Sequence, residues 1–271
     1  MTQIALDAAY NNGAAVSDSL QWLDTWRERS ATVREVDGAQ LDIPYGLKQR
    51  QRLDFFSSGA AAAPLFVFIH GGYWQRNAKE LFSFVASGPM AHGIDVAVIG
   101  YTLAPEARLS EIVDEVQEGL AFLRKNANLF RFNPETIYVG GWSAGGHLAA
   151  MVCNHPDVKG VLAISGIFDL EPIALSYLNA PLQLNPHEIA TLSPLKTLGP
   201  GAVQQCVAVG GNELPELKRQ SALYAETAQR LRLPASLHSL SGHHHFSILD
   251  ELSDPDGVLT CELLKQMQKR Q

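Results

Sequence analysis

The chain has 271 residues, 46% of them hydrophobic and 18% charged, and a formal charge of −7. This is globular composition, and with no basic run it leaves no electrostatic footprint for nucleic acid or an anionic membrane. Cys153, Cys206 and Cys261 lie far apart and form neither a disulfide framework nor a C-x-x-C pair. The N-terminus lacks the pattern of a signal peptide, and no apolar run approaches the ~20 residues of a membrane span, so a cytoplasmic protein is expected.

In chain order, residues 1–45 read as a lead-in: a helix over 19–30 and then a polar connection. Short β-branched or apolar runs bounded by turn residues predict strands at 51–56, 65–69, 95–100, 136–140, 158–164, 203–209 and 235–240. Between them lie helices. Apolar residues at 109, 112, 113, 116, 120 and 123 keep a 3.6-residue period, with Glu111, Asp114, Glu115 and Glu118 on the other face. A second helix opens near Glu216, with Leu217, Tyr224, Ala228 and Leu231 on one stripe. Alternating strands and helices predict one α/β domain over 1–271, with a mostly parallel central sheet covered by helices on both faces. Residues 168–200 break the pattern and hold five of the 14 prolines among many leucines. Such a stretch is too apolar for a linker and too broken for one helix, which predicts a small cap over a pocket.

Gly141-Trp142-Ser143-Ala144-Gly145 matches G-x-S-x-G between a strand and a small-residue helix, the setting of a nucleophile elbow. A sharp turn there projects the Ser143 hydroxyl above the sheet edge, beside a helix N-terminus. His70-Gly71-Gly72-Tyr73-Trp74 follows the apolar strand at 65–69. Bare backbone at that point can present N–H groups to a developing oxyanion, so Gly72, Tyr73 and Ala144 are the expected donors. His70 itself reads as a structural residue.

A serine nucleophile needs a base, and the base an orienting carboxylate, in the chain order Ser, acid, His. The run His243-His244-His245 follows the last strand, and one of the three can serve as base; the run could also bind a metal, although no carboxylate or cysteine stands near at a ligand spacing. For the acid, Glu213 follows the strand at 203–209. Its rival Asp169 follows the strand before.

These stretches resemble the α/β-hydrolase-fold serine hydrolases, and among them the kynurenine formamidase (arylformamidase) group. The matching segments are His70-Gly-Gly-Tyr-Trp-Gln75, Tyr101-Thr-Leu-Ala-Pro-Glu106, Gly141-Trp-Ser-Ala-Gly-Gly-His-Leu148, Ser165-Gly-Ile-Phe-Asp-Leu170, Gly211 to Ser221, and His244-His-Phe-Ser-Ile-Leu249. They keep the family's order from about residue 40 to 253. The resemblance implies His245 as the base, because the family's histidine directly precedes a phenylalanine. It implies Glu213 as the acid at a position where the family usually carries aspartate, and Trp142 stands where the family often has histidine. The expected reaction is acyl transfer to water from a small-molecule aryl formamide or ester, with no cofactor or metal. Tyr73, Trp74, Trp142 and Phe168 are expected to line the pocket. Other readings are a short-chain carboxylesterase, a metal-dependent hydrolase using His243–His245, and a non-catalytic binding protein on the same fold. No nucleic-acid or membrane partner is expected, and a homodimer is allowed.

Overall fold

A computed structural model describes residues 2–268. The chain enters through three helices, α1 (Gln3–Ala9), α2 (Asn12–Ala15) and α3 (Ser19–Arg34). Then come β1 (Gln40–Pro44), β2 (Arg52–Phe56) and β3 (Leu65–Ile69), a 3₁₀ segment at Lys79–Ala86, α4 (Ser87–Ala91) and β4 (Asp95–Ile99). The middle of the chain is α5 (Leu109–Lys125), α6 (Ala127–Phe130), β5 (Ile137–Trp142), α7 (Ala144–Met151) and β6 (Val158–Ile164). Four short helices follow, α8 (Glu171–Ala174), α9 (Asn179–Leu182), α10 (Pro186–Thr191) and α11 (Pro194–Thr197). The chain then runs through β7 (Gln204–Gly210), α12 (Pro215–Arg230), β8 (Ala235–Leu240), α13 (Asp250–Ser253) and α14 (Val258–Gln268).

The eight strands form one sheet in the order β1-β2-β4-β3-β5-β6-β7-β8. The first two pairings, β1 with β2 and β2 with β4, are antiparallel and the remainder parallel. This is the α/β-hydrolase arrangement the sequence predicted. Every residue of β3 is buried, because both faces of this central strand are covered. Leu65, Val67 and Ile69 pack with Leu120 of α5, Leu148 of α7 and Leu217 of α12, while Phe66 and Phe68 turn to Trp26 of α3 and to Leu259 and Leu263 of α14.

The order places the functional loops. From β3 the chain moves to β4 on one side and then to β5 on the other, so Ile69 pairs with both Ile99 and Gly141. The loops after β3 and β5 therefore part at a topological switch point, where such sheets leave a crevice at their C-terminal ends.

Several expectations need correction. The polar connection contains β1, an edge strand with mostly exposed residues whose pattern is too polar to read as buried. Glu115 is buried, because its carboxylate accepts from the Thr102 N–H at 2.7 Å and pairs with Lys48 at 2.9 Å. Leu231 falls just past the end of α12 and is half exposed. Among the described residues no helix is long and apolar enough to cross a membrane.

Candidate active site

Ser143 joins β5 to α7 at φ 58°, ψ −118°, a left-handed conformation costing a β-carbon residue about 1–3 kcal/mol. Its neighbours hold it there. The Ser143 N–H donates to Ile164 O on β6 at 2.8 Å. A Cβ at Gly141 would stand 2.2 Å from Gly145 O, and one at Gly145 would stand 2.0 Å from Ile69 O. The motif's two glycines therefore let strand, turn and helix pass within backbone contact.

The loop after β3 closes onto this turn. A Cβ on Gly71 would come within 2.6 Å of Trp142 O and 3.0 Å of the Ser143 Cβ. Gly72, Tyr73 and Trp74 all have positive φ (122°, 53° and 59°), and Gly72 O accepts from both Gln75 N and Arg76 N at 3.0 Å. The N–H groups of Gly72, Tyr73 and Ala144 donate to no protein acceptor among the described residues. His70 lies stacked on Tyr101 with ring centroids 4.3 Å apart, and its Nδ1 donates to Gly71 O at 2.9 Å. Burial pushes its pKa down to about 4, so it is a neutral brace for the loop.

From the far side, His245 Nδ1 meets Glu213 Oε2 at 2.7 Å. Both side chains are almost wholly buried. The glutamate's extra methylene is taken up by folding back, so that Oε1 accepts from Gly210 N three residues earlier at 2.7 Å. The same oxygen accepts from Ser165 Oγ at 2.5 Å. Ser165, at φ 51° just past β6, is a functional position that sequence reasoning missed, although it stands in the quoted Ser165-Gly166 segment. Trp142 anchors the histidine loop, its indole Nε1 donating to His245 O at 2.7 Å with ring centroids 4.6 Å apart.

The neighbouring histidines have other partners. His243 Nε2 lies 3.0 Å from Glu251 Oε1. His244 packs edge-on to Trp22 and accepts from Phe246 N and Ser247 N through Nδ1. The three rings thus diverge, and this run makes no metal-ligating group among the described residues. Ligand atoms of Cys206, His238 and Glu262 do lie within 4.8 Å of one another, but none of the three lines the Ser143 cavity. Asp169 does not reach His245: its Oδ1 accepts from Glu171 N at 3.1 Å, and its backbone bonds Gln220.

Ser143 and His245 face one cavity of about 190 Å³, walled also by Gly72, Tyr73, Arg76, Asn77, Trp142 and Phe246. Its remaining wall is Asn12, Gly13, Ser19, Leu20 and Leu23 of the lead-in. None of residues 168–200 lines it, which corrects the expected cap. Phe168 is buried against Tyr224 with ring centroids 4.3 Å apart, and Trp74 is buried edge-on to His147, so neither is a pocket residue. Tyr73 joins the two halves of the site: its hydroxyl donates to Tyr10 O at 2.6 Å and accepts from Asn12 Nδ2 at 3.1 Å.

Comparison with known proteins places this geometry among relatives. The BD-FAE family model matches residues 53–194. The kynurenine formamidase of Danio rerio is 33% identical over 251 residues, covering 87% of this chain and 84% of that protein. That of Salmo salar is 32% identical over 90% and 87%. A crystal structure described as a thioesterase from Silicibacter sp. TM1040 superposes with a TM-score of 0.87 at 29% identity, covering 96% of this chain and 98% of that one.

Proposed function

This chain belongs to the kynurenine formamidase family of α/β-hydrolase-fold enzymes, and on that premise we propose a serine hydrolase that cleaves an aryl formamide of the N-formylkynurenine kind, or a short-chain carboxylic ester, through an acyl-enzyme. The observation that carries this reading is the buried 2.7 Å contact between His245 Nδ1 and Glu213, set across one cavity from a serine in a strained strand–helix turn.

Glu213 fixes the imidazole with a proton on Nδ1, which leaves Nε2 as the base. That nitrogen takes the Ser143 proton as the oxygen attacks the carbonyl carbon, and the N–H groups of Gly72, Tyr73 and Ala144 bind the oxyanion. His245 then gives the proton to the departing amine or alcohol. Water, deprotonated by the same nitrogen, attacks the acyl-serine and releases the acid and the free hydroxyl. Ligand sites are typically ~300–1,000 Å³, so a cavity of about 190 Å³ favours a formyl or acetyl group over a long acyl chain.

A panel of N-formylkynurenine and short p-nitrophenyl esters tests this. Turnover of the formamide, labelling of Ser143 by a fluorophosphonate, and loss of about 10⁶ in kcat in Ser143→Ala are the expected results. Ester cleavage without formamide cleavage would leave a short-chain carboxylesterase. Labelling at another serine, or inactivation by a chelator, would overturn the serine mechanism.

A further inference from the structure

The protein is acidic, yet the residues walling the cavity include no aspartate or glutamate and a single cation, Arg76. Arg50 donates to the carbonyls of Tyr101 and Asn77, whereas several other arginines have carboxylate partners: Arg108 with Glu188 at 2.7 Å, Arg219 with Glu216 at 2.8 Å, Arg29 with Asp250 at 2.6 Å. Arg76 has none among the described residues. Its backbone is held by the N–H bond to Gly72 O at 3.0 Å, so the side chain springs from the turn that presents the oxyanion donors. The guanidinium faces the Tyr177 hydroxyl, and its charge is felt at Tyr73. It stands exposed at the cavity rim. Glu213 is the acid of the site, but it is fully enclosed and already committed to Ser165, Gly210 and His245.

We infer that Arg76 receives a carboxylate carried on the leaving group of the substrate, so that the site selects carboxylate-bearing formamides or esters over those without one. This rests on the hydrolytic reading of Ser143. A planar guanidinium presents two parallel donors that match a carboxylate, and the residues walling the cavity include no acid that already pairs with it. The leaving group is the part concerned: a formyl or acetyl group has no atoms to spare for the rim, so whatever meets Arg76 lies on the other side of the scissile bond.

The test compares N-formylkynurenine with its α-carboxamide, which keeps the α-amino group and lacks the carboxylate, in the wild type, Arg76→Ala and Arg76→Lys. Wild type should favour the carboxylate by roughly tenfold or more in kcat/KM, mostly through KM, as for a hydrogen bond to a charged group. Arg76→Ala should bring the ratio near one, and Arg76→Lys should hold an intermediate value, since a point charge lacks the fork. An unchanged ratio in Arg76→Ala overturns the inference. So does an equal fall on both substrates, which would make Arg76 a prop for the loop. If neither formamide is cleaved but p-nitrophenyl acetate is, the formamidase reading fails, and p-acetoxybenzoate against p-acetoxybenzamide puts the same question to the esterase. Inertness to all of these substrates would remove the hydrolytic reading and this inference together.

Discussion

Two stretches outside the sheet, residues 10–23 and residues 168–200, have exchanged the roles their sequences suggest. The second is leucine-rich and broken by prolines, as a cap over a pocket would be. In the fold most of its apolar residues go into the core: Leu170, Ile173, Leu178 and Leu182 are buried together with Phe168, while Leu175 and Tyr177 stay exposed. The first is short, half apolar and free of proline, yet it supplies one wall of the Ser143 cavity and clasps Tyr73 through Tyr10 and Asn12. Apolar content says that a segment will be buried; it does not say against what. The segment that shapes the cavity is the one tethered to the glycine loop after β3.

The largest effect that could break this division concerns the acid, because Asp169 belongs to the second stretch and Glu213 does not. Glu213→Gln should keep the fold and lower kcat by about 10³–10⁴, the scale known for a triad acid replaced by its amide. Glu213→Asp should retain a fraction, while Asp169→Asn should leave kcat little changed and lower thermal stability. An inactive Asp169→Asn beside an active Glu213→Gln would return the chemistry to the proline-rich stretch.

Next in size is a pH effect at the joint between that stretch and the elbow. His147 on α7 donates through Nε2 to Leu192 O at 2.8 Å, and burial pushes its pKa down to about 4 from an ordinary 6.5. The folded state thus binds this proton less readily than the unfolded chain. Stability is complete above pH 6.5 and falls as the pH drops from there to about 4, by roughly a few kcal/mol. His70, also pushed to about 4, contributes to the same window. Urea denaturation at pH 7.5 and 4.5 should show the loss, and His147→Gln, which keeps a donor but cannot titrate, should flatten part of it. Equal slopes in the two proteins would remove His147 from this account.

The smallest effect sharpens the role of the lead-in. Leu23→Ala removes three carbons from the cavity wall and should shift the kcat/KM ratio of butyryl to acetyl esters upward by about tenfold, the discrimination that one or two methylenes supply. An unchanged ratio would mean that the lead-in covers the cavity without shaping it.

Local sequence carried much of this molecule. The strands at 65–69 and 158–164 fall where the apolar runs put them, because a strand with both faces covered must be apolar almost throughout. The positions of Ser143, the glycine loop, Glu213 and the histidine run after successive strands were legible for the same reason: a parallel sheet brings the C-terminal ends of its strands to one edge. Edge strand β1 was not legible, since it is mostly exposed and its pairing with β2 leaves no apolar signature.

Other features belong to tertiary structure alone. Which of three adjacent histidines meets a carboxylate depends on how one loop lies against β7; the residues themselves are chemically identical. That Ser165 grips the second oxygen of Glu213, and that Trp142 holds the His245 carbonyl, depends on neighbours 48 and 103 residues apart in the chain. The same holds for the cavity wall and for Arg76 at its rim, which meets the Tyr177 hydroxyl rather than a carboxylate. Hydrophobic pattern and backbone geometry are local and can be read along the chain, whereas hydrogen-bond partners and cavity walls arise when distant segments meet, so only the folded molecule decides them.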